Sequence, residues 1–239
     1  MLGMLLLVAL IFWTVNSPAI VGASATQRQL PVYSVQRSDK VLALSFDAAW
    51  GNEDTQTLID ILRSHAVQTS FFVVGDWADK YPDSVRALAE AGHEVMSHSS
   101  HHDHFSKLST EQIRADLSAC NEKIGALTGV TPRLFRCPYG EYDDHVIAAV
   151  RGMGMEPIQW SVDSLDWKGI SAAEITQRVL QNVRPGSIVL FHNAAEHTPE
   201  ALPGILDALQ SQGYQIVPVS ELLLQGETFI DGTGCQCPQ

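Results

Sequence analysis

The sequence is poor in positive charge and in cysteine. It carries 15 Lys and Arg residues against 27 Asp and Glu residues, a formal net charge of −12 at pH 7. Nucleic-acid binding needs a basic surface, so this balance argues against a nucleic-acid partner. The cysteines are Cys120, Cys137, Cys235 and Cys237. They include no CxxC pair and are too scattered for a disulfide scaffold, while a bond between Cys235 and Cys237 stays open.

A hydrophobic run long enough to cross a membrane comfortably is also missing. The apolar run at 2–15 is short, suits the core of a signal peptide, and is followed by small residues at 23–25 that suit cleavage. We therefore predict that 1–25 is a signal peptide or an N-terminal membrane anchor, with a plain buried helix as the third alternative. The protein is then exported and lies outside the cell, in the wall or tethered to the membrane facing outward. Residues 26–40 are predicted to be a linker.

From residue 41 the chain alternates between strand-like and helix-like patterns. Apolar strand-like runs fall at 41–46, 69–74, 93–97, 134–136, 155–161, 187–191 and 215–219. Capping boxes at Ser109/Gln112 and Ser171/Glu174 predict the starts of two helices between these strands. Asp83 is predicted to cap a further helix that Gly92 ends. About seven alternations over 41–225 predict an α/β fold, a distorted (β/α) barrel of about seven parallel strands. An open doubly wound sheet is the alternative, although no glycine-rich phosphate loop follows the first strand. Residues 226–239 are predicted to be a C-terminal tail.

Polar side chains collect where the predicted strands end. The run 98–104 holds four of the nine histidines of the chain. Histidine is a common metal ligand, although a solvated histidine-rich loop would look the same. Barrels place their chemistry at the carboxyl ends of the strands. Reading these ends in order gives Asp47, then His98 and His102, then Arg136 and Tyr139, then Asp163, Asp166 and Trp167, and finally His192. This pattern predicts a functional site.

Each of these residues also has a purely structural interpretation. Asp47 could cap a helix, Arg136 could pair with a surface carboxylate, and His192 could be a buried core histidine. Trp160 and Trp167 could be core aromatics. Cys137 is better explained as a small packing residue than as a nucleophile, because the sequence dedicates no base to it.

Six stretches in register resemble the polysaccharide deacetylase family, whose members contain the NodB-homology domain. They are Ser45-Phe46-Asp47, the run 69–75, the run 98–102, the run 136–140, the run 163–167 and Leu190-Phe191-His192. The similarity spans about 41–222. The variant Ser-Phe-Asp-Ala-Ala-Trp-Gly at 45–51 resembles the sporulation-associated branch of spore-forming bacteria.

The resemblance implies metal-assisted removal of acetyl groups from an N-acetylated cell-wall-type polysaccharide, either peptidoglycan or chitin-like. It implies that His98 and His102 hold a divalent metal, usually zinc. Asp47 would then be the general base, Arg136 would hold it ionised, and the Tyr139 N–H would help to bind the oxyanion. The remaining implied roles are His192 as general acid, Asp166 as the group that raises its pKa, and Trp167 and Leu190 as walls for the acetyl methyl group.

The sequence departs from the family pattern at Ala48, where a second aspartate usually binds the metal. Two imidazoles fall short of the three protein ligands usual in catalytic zinc sites, which predicts a weakly bound metal. A nearby carboxylate could substitute, with Glu53, Asp54 and Asp103 as candidates, or water could fill the gap. The alternative function is a glycan-binding relative without turnover that acts in spore or cell-envelope assembly. Hydrolysis of another C–N bond, such as that of a cyclic imide, is a third hypothesis.

Overall fold

The computed structural model describes residues 28–239, so the predicted signal peptide or anchor at 1–25 lies outside the described residues. The strands are β1 Ser34–Val35, β2 Val41–Ala48, β3 Ser70–Val73, β4 Glu94–Ser97, β5 Leu134–Phe135, β6 Glu156–Pro157, β7 Val162–Asp163, β8 Ile188–His192, β9 Gln215–Ile216, β10 Thr228–Ile230 and β11 Cys235–Pro238. The helices are α1 Thr55–Ser64, α2 Gly75–Lys80, α3 Pro82–Glu90, α4 Thr110–Thr128, α5 Asp144–Arg151, α6 Ala172–Asn182, α7 Thr198–Ser211 and α8 Val219–Leu222.

The main sheet is a curled half-barrel of parallel strands with helices around it. Its strands follow the order β6-β5-β4-β3-β2-β8-β7, and β9 pairs with the start of β2. Each neighbouring pair along this order is parallel. The prediction of a distorted (β/α) barrel of about seven parallel strands is confirmed. Because the strands are parallel, their carboxyl ends gather at one edge, where the predicted site residues lie.

Strand β2 lies in the interior of the sheet, between β3 and β8, and is buried along its whole length. Its side chains alternate between two hydrophobic clusters, as the period of a strand requires. Leu42, Leu44 and Phe46 belong to the helix-side cluster, which contains most of the buried helix residues. Val41 and Ala43 belong to a second cluster with residues of neighbouring strands such as Phe72 and Ile188. By the same alternation, Asp47 lies on the side of Val41 and Ala43, whereas Ala48 belongs to the same cluster as Leu42, Leu44 and Phe46.

Both capping boxes occur as predicted. The Ser109 and Ser171 side chains accept from the backbone N–H groups of Gln112 and Glu174, whose side chains bond back. The prediction that Asp83 caps the helix ending near Gly92 was wrong. Helix α3 begins at Pro82 after Tyr81, and no side chain caps it. Proline fits that first helical position, since its missing N–H would be unpaired there anyway.

Four other expectations differ from the structure. The run 155–161 contains the short strand β6, and β7 begins just after it at Val162. The final strand β9 ends at Ile216, and α8 begins at Val219 with Pro218 as its N-cap. Strand β1 lies inside the expected linker, where Val32 and Val35 are buried in the second cluster. The expected tail contains β10 and β11, and a three-stranded sheet joins β11 to both β1 and β10. Both ends of the described range, 28–239, therefore belong to the folded unit.

Within residues 28–239, no helix is both long enough and apolar enough to span a membrane.

Candidate active site

A cleft of about 510 Å³ lies at the carboxyl edge of the sheet. Its walls come from the ends of several strands and the loops that follow them. The lining residues are Asp47, Trp50, His98, His102, Tyr139, Gly140, Trp160, Asp163, Trp167, Leu190 and His192. Seven of the residues that the sequence singled out for roles are among them. The other two, Arg136 and Asp166, lie behind the walls, each bonded to a lining residue.

Asp47 and Arg136 form a buried ion pair beneath the cleft. An Arg136 guanidinium N–H donates to Asp47 Oδ1 at 2.7 Å, and a second donates to Ser45 Oγ at 2.8 Å. Arg136 also lies over the Phe72 ring at 4.1 Å. Burial alone would raise the pKa of Asp47, but the Arg136 charge and smaller contributions from His98 and His192 hold that pKa below its usual value. Asp47 is therefore ionised at neutral pH.

Asp166 and His192 form the second pair. Asp166 Oδ1 lies 2.8 Å from His192 Nδ1, and its Oδ2 accepts the His192 backbone N–H at 2.8 Å and the Thr198 hydroxyl at 2.7 Å. Burial would lower the pKa of His192, but the hydrogen bond and charge of Asp166 outweigh it and raise that pKa. With Nδ1 engaged by Asp166, the other ring nitrogen, Nε2, is the group left to transfer a proton.

His98 and His102 meet across a tight turn. Ser99 and His102 adopt left-handed backbone conformations, with φ of 73° and 57°, and the His102 N–H donates to Ser99 Oγ at 2.8 Å. The turn brings the two imidazole centroids to 4.9 Å. Backbone strain of this kind persists where the surroundings fix it, often at functional sites.

Both rings suit a divalent cation because they are neutral. Burial lowers the pKa of His98, and burial with the neighbouring His98 lowers that of His102 to about 4. His98 Nδ1 lies 2.8 Å from the Arg136 carbonyl oxygen, which fixes the proton on Nδ1 and leaves Nε2 as a lone-pair donor, 3.5 Å from Asp47 Oδ2. The two histidines thus fit as metal ligands.

A third ligand is not supplied by the described residues. Ala48 is 1% exposed and packs in the helix-side cluster. Among the proposed substitutes, Asp54 uses Oδ2 to accept the Ala194 N–H at 2.9 Å, and Glu53 and Asp103 point to solvent as exposed residues. None of the three lines the cleft. The donor set therefore has two imidazoles instead of three protein ligands.

Aromatic residues form the rim. Tyr139 and Trp167 line the cleft yet remain about half exposed, and Leu190 forms a buried part of the wall. Tyr139 has φ of 59° inside the short 3₁₀ turn Pro138–Gly140. Its ring stacks on His104 at 4.4 Å, and His104 Nδ1 lies 2.7 Å from Glu141 Oε2. His104 thus supports the rim without lining the cleft.

Trp50 is a cleft residue that the strand-end analysis missed. Its ring stacks on His192 with centroids 5.8 Å apart and meets the edge of His102 at 6.5 Å. The loop that carries it is fixed, because the Ala49 N–H donates to Asn193 Oδ1 and the Trp77 indole donates to the Gly51 carbonyl. The signal available was the short Ala-Ala-Trp-Gly run directly after Asp47.

The remaining singled-out residues differ in their distance from the cleft. His101 is exposed and pairs with Asp76 at 3.0 Å. Cys137 is buried in a hydrophobic cluster, and burial raises the pKa of its thiol, as expected of a packing residue. Asp163 lines the cleft, where its Oδ1 accepts the Leu165 N–H.

Comparison with known proteins places these observations in a family. The polysaccharide deacetylase family model matches residues 34–158. The chain is 32% identical over 185 residues to a peptidoglycan-N-acetylglucosamine deacetylase of Bacillus cereus, covering 76% of this chain and 67% of that protein. It is 34% identical over 209 residues to the deacetylase PgdA of Listeria monocytogenes, covering 86% of this chain and 44% of that one. An uncharacterized Bacillus subtilis protein, YlxY, is 31% identical over 193 residues, and this chain spans 60% of it.

Solved structures agree with the fold. A Bacillus anthracis protein described as a CE4 family pseudoenzyme has a TM-score of 0.78 and 34% identity, over 80% of this chain and 68% of that one. A mutant of the same pseudoenzyme, described as having restored enzymatic activity, has a TM-score of 0.78 and 35% identity, over 80% of this chain and 70% of that one. A peptidoglycan N-acetylglucosamine deacetylase with a bound hydroxamate has a TM-score of 0.77 and 31% identity, over 80% and 91%. The resemblance in the motifs is confirmed, and the chain belongs to the polysaccharide deacetylase family.

Proposed function

We propose that the cleft binds an N-acetylated amino sugar of a cell-wall-type glycan, peptidoglycan or chitin-like, and hydrolyses its acetamide bond. The observation that carries the proposal is the presence of both proton-transfer pairs in one cleft. Asp47 is ionised beside Arg136, and His192 is held by Asp166 with its pKa raised. Amide hydrolysis needs a base for the attacking water and an acid for the departing nitrogen, and these two pairs supply them.

The reaction proceeds by addition of water and loss of the amine. Asp47 accepts a proton from the water as its oxygen forms a bond to the acetyl carbon. His192 gives its proton to the sugar nitrogen as the C–N bond breaks, so that acetate and a free amine leave. The backbone N–H of Tyr139 holds the carbonyl oxygen as it gains negative charge, and Trp167 and Leu190 enclose the acetyl methyl group. A divalent cation on His98 and His102, which we propose to be weakly bound zinc, supplies further polarisation of the carbonyl and of the water.

The test is release of acetate from peptidoglycan and chitin oligomers with added zinc and after chelation. We expect measurable release with zinc that falls by a factor of about 10²–10⁴ in His192→Asn, because Asn keeps the hydrogen bond to Asp166 but has no proton to transfer. Absence of acetate under every divalent metal would refute hydrolysis.

Glycan binding without turnover is the second candidate, and Ala48 is the observation that favours it. Two similar solved structures are described as pseudoenzymes. In that case calorimetry would show oligosaccharide binding unaffected by zinc, with no acetate formed. Zinc that tightens glycan binding would instead favour hydrolysis.

We further propose that the protein acts outside the cytoplasmic membrane, exported or tethered through its N-terminal segment. The support is the apolar run at 2–15 and the location of peptidoglycan. A role in spore-envelope assembly is proposed from the motif at 45–51. Fractionation of cells and proteolysis of intact protoplasts would place the protein on one side of the membrane.

A further inference from the structure

The C-terminal hairpin carries a second cluster of metal-ligating groups, separate from the cleft. Donor atoms of Asp231, Cys235 and Cys237 all lie within 4.8 Å of one another. Within residues 28–239, no other set of three His, Cys, Asp or Glu donors meets that distance. This holds also for any set that contains the two cleft histidines. Two sulfurs and a carboxylate form a donor set that zinc-type cations accept.

The backbone around the cluster is already organised. Asp231 Oδ1 accepts from the Thr233 N–H at 2.8 Å, the Thr233 hydroxyl at 2.7 Å and the Cys235 N–H at 3.0 Å. These bonds hold the carboxylate in one orientation. Cys235 and Cys237 lie in β11, which is paired with β10 and with β1. Little chain entropy remains to be lost when a ligand binds there.

Strand geometry favours a metal over a disulfide at this cysteine pair. Residues two apart on an extended strand point to the same side, with Cα atoms about 6.7 Å apart. That distance lies at the upper end of the range over which disulfides form without strain, about 4.4–6.8 Å. Two sulfurs that share a tetrahedral cation need no direct bond and span this separation more easily.

We propose that Asp231, Cys235 and Cys237 form a structural site for a soft divalent cation of the zinc type. On binding, both thiols lose their protons to solvent and two metal–sulfur bonds form, with no change of oxidation state. The carboxylate is the third ligand and water completes the tetrahedron. The Gly234 carbonyl accepts the Tyr33 N–H at 2.8 Å, so the cation would reinforce the contact between the two chain ends.

The experiment uses the full chain, purified under reducing conditions and stripped of metal, titrated with Co²⁺ and then Zn²⁺. We expect near-ultraviolet thiolate-to-cobalt charge-transfer bands that zinc abolishes, because sulfur ligation produces them and imidazole ligation does not. The double variant Cys235→Ser/Cys237→Ser should lose the bands, and its zinc affinity at this site should fall at least about a hundredfold. The matched control His102→Asn alters the cleft histidines and should keep the bands. Zinc should raise the melting temperature of the wild type more than that of the double variant.

A second measurement needs no variant. Zinc should protect Cys235 and Cys237 from alkylation in the wild-type protein, as mapped by mass spectrometry. The proposal is overturned if cobalt gives no thiolate band, if zinc leaves alkylation unchanged, or if reduction of a Cys235–Cys237 disulfide yields thiols that bind neither metal. None of these readouts depends on deacetylation, so the two proposals fail separately.

Discussion

The two halves of the cleft differ in completeness. The proton-transfer half consists of two ion pairs, Arg136 with Asp47 and His192 with Asp166. The metal half has two neutral imidazoles and an alanine methyl group where a third ligand is expected. A cleft can thus keep the charges and hydrogen bonds that shape it while lacking one coordinating group. The paired ions cannot be removed singly without leaving a buried charge, whereas Ala48 packs in the core at no such cost.

The largest effect is expected from Asp47→Asn. It removes the proposed base and leaves the buried Arg136 cation without its partner, so acetate release should fall by a factor of about 10²–10⁴. The free energy of unfolding should fall by about 3 kcal/mol. Acetate assays and urea denaturation measure the two effects. The control Asp79→Asn breaks an exposed pair with Lys123 and should cost under ~1 kcal/mol. Equal losses in the two variants would show that the Asp47–Arg136 pair contributes no more than a surface ion pair.

Ala48→Asp should complete the metal half. We expect zinc affinity at the cleft to rise about tenfold or more and acetate release to rise with it, because a third ligand joins His98 and His102. The control is Ala49→Asp, which adds a carboxylate one residue later, just beyond the end of β2. Calorimetry in the Cys235→Ser/Cys237→Ser background isolates the cleft site. Unchanged zinc affinity would mean that residue 48 faces the helix-side cluster in the variant as well, and the assignment of the third position would be wrong.

Asp166→Asn should shift the pH dependence. Asp166 raises the pKa of His192 against the lowering effect of burial, so its loss lowers that pKa. The general acid must be protonated, and kcat/KM therefore falls as pH rises through its pKa. We expect this falling limb to move to lower pH, checked by pH–rate profiles and by NMR titration of the imidazole. Thr198→Ala removes only one hydrogen bond to Asp166 and should shift the limb less. A limb that stays in place would exclude His192 as the acid.

Trp50→Ala should have the smallest effect. It removes the ring stacked on His192 and part of the cleft wall, an interaction of about 1 kcal/mol. We expect KM for the glycan to rise about fivefold with a smaller change in kcat, whereas Trp50→Phe should keep most of the affinity. A drop in kcat alone would show that Trp50 acts on His192 and not on the sugar.

The sequence predicts the sheet and most of the cleft because both depend on local patterns. Parallel strands put their carboxyl ends together, so Asp47, Arg136 and His192 could be grouped without coordinates. The carboxyl ends of β2 and β8 bear this out, with Asp47 and His192 opposite one another in the ladder.

Contacts between distant segments could not be read in this way. The pairing of β1 with β11 joins residues about two hundred positions apart, and neither segment has a strong strand pattern. Trp50 stacks on His192 because Asn193 holds the loop at 49–51, a contact that has no local signature. The failure of Glu53, Asp54 and Asp103 to replace the missing ligand is likewise a matter of direction, which sequence distance does not give.

The register of β2 against β8 has a consequence for how the family can change. Asp47 and His192 lie on adjacent strands at the same ladder position, so the strand spacing of a sheet, about 4.8 Å, sets the backbone separation between the proposed base and the proposed acid. Loops such as 49–54 and 138–143 can lengthen, shorten or exchange aromatic residues without changing that separation. Loop grafts between relatives should therefore change the accepted glycan while leaving the distance between the Asp47 and His192 positions unchanged.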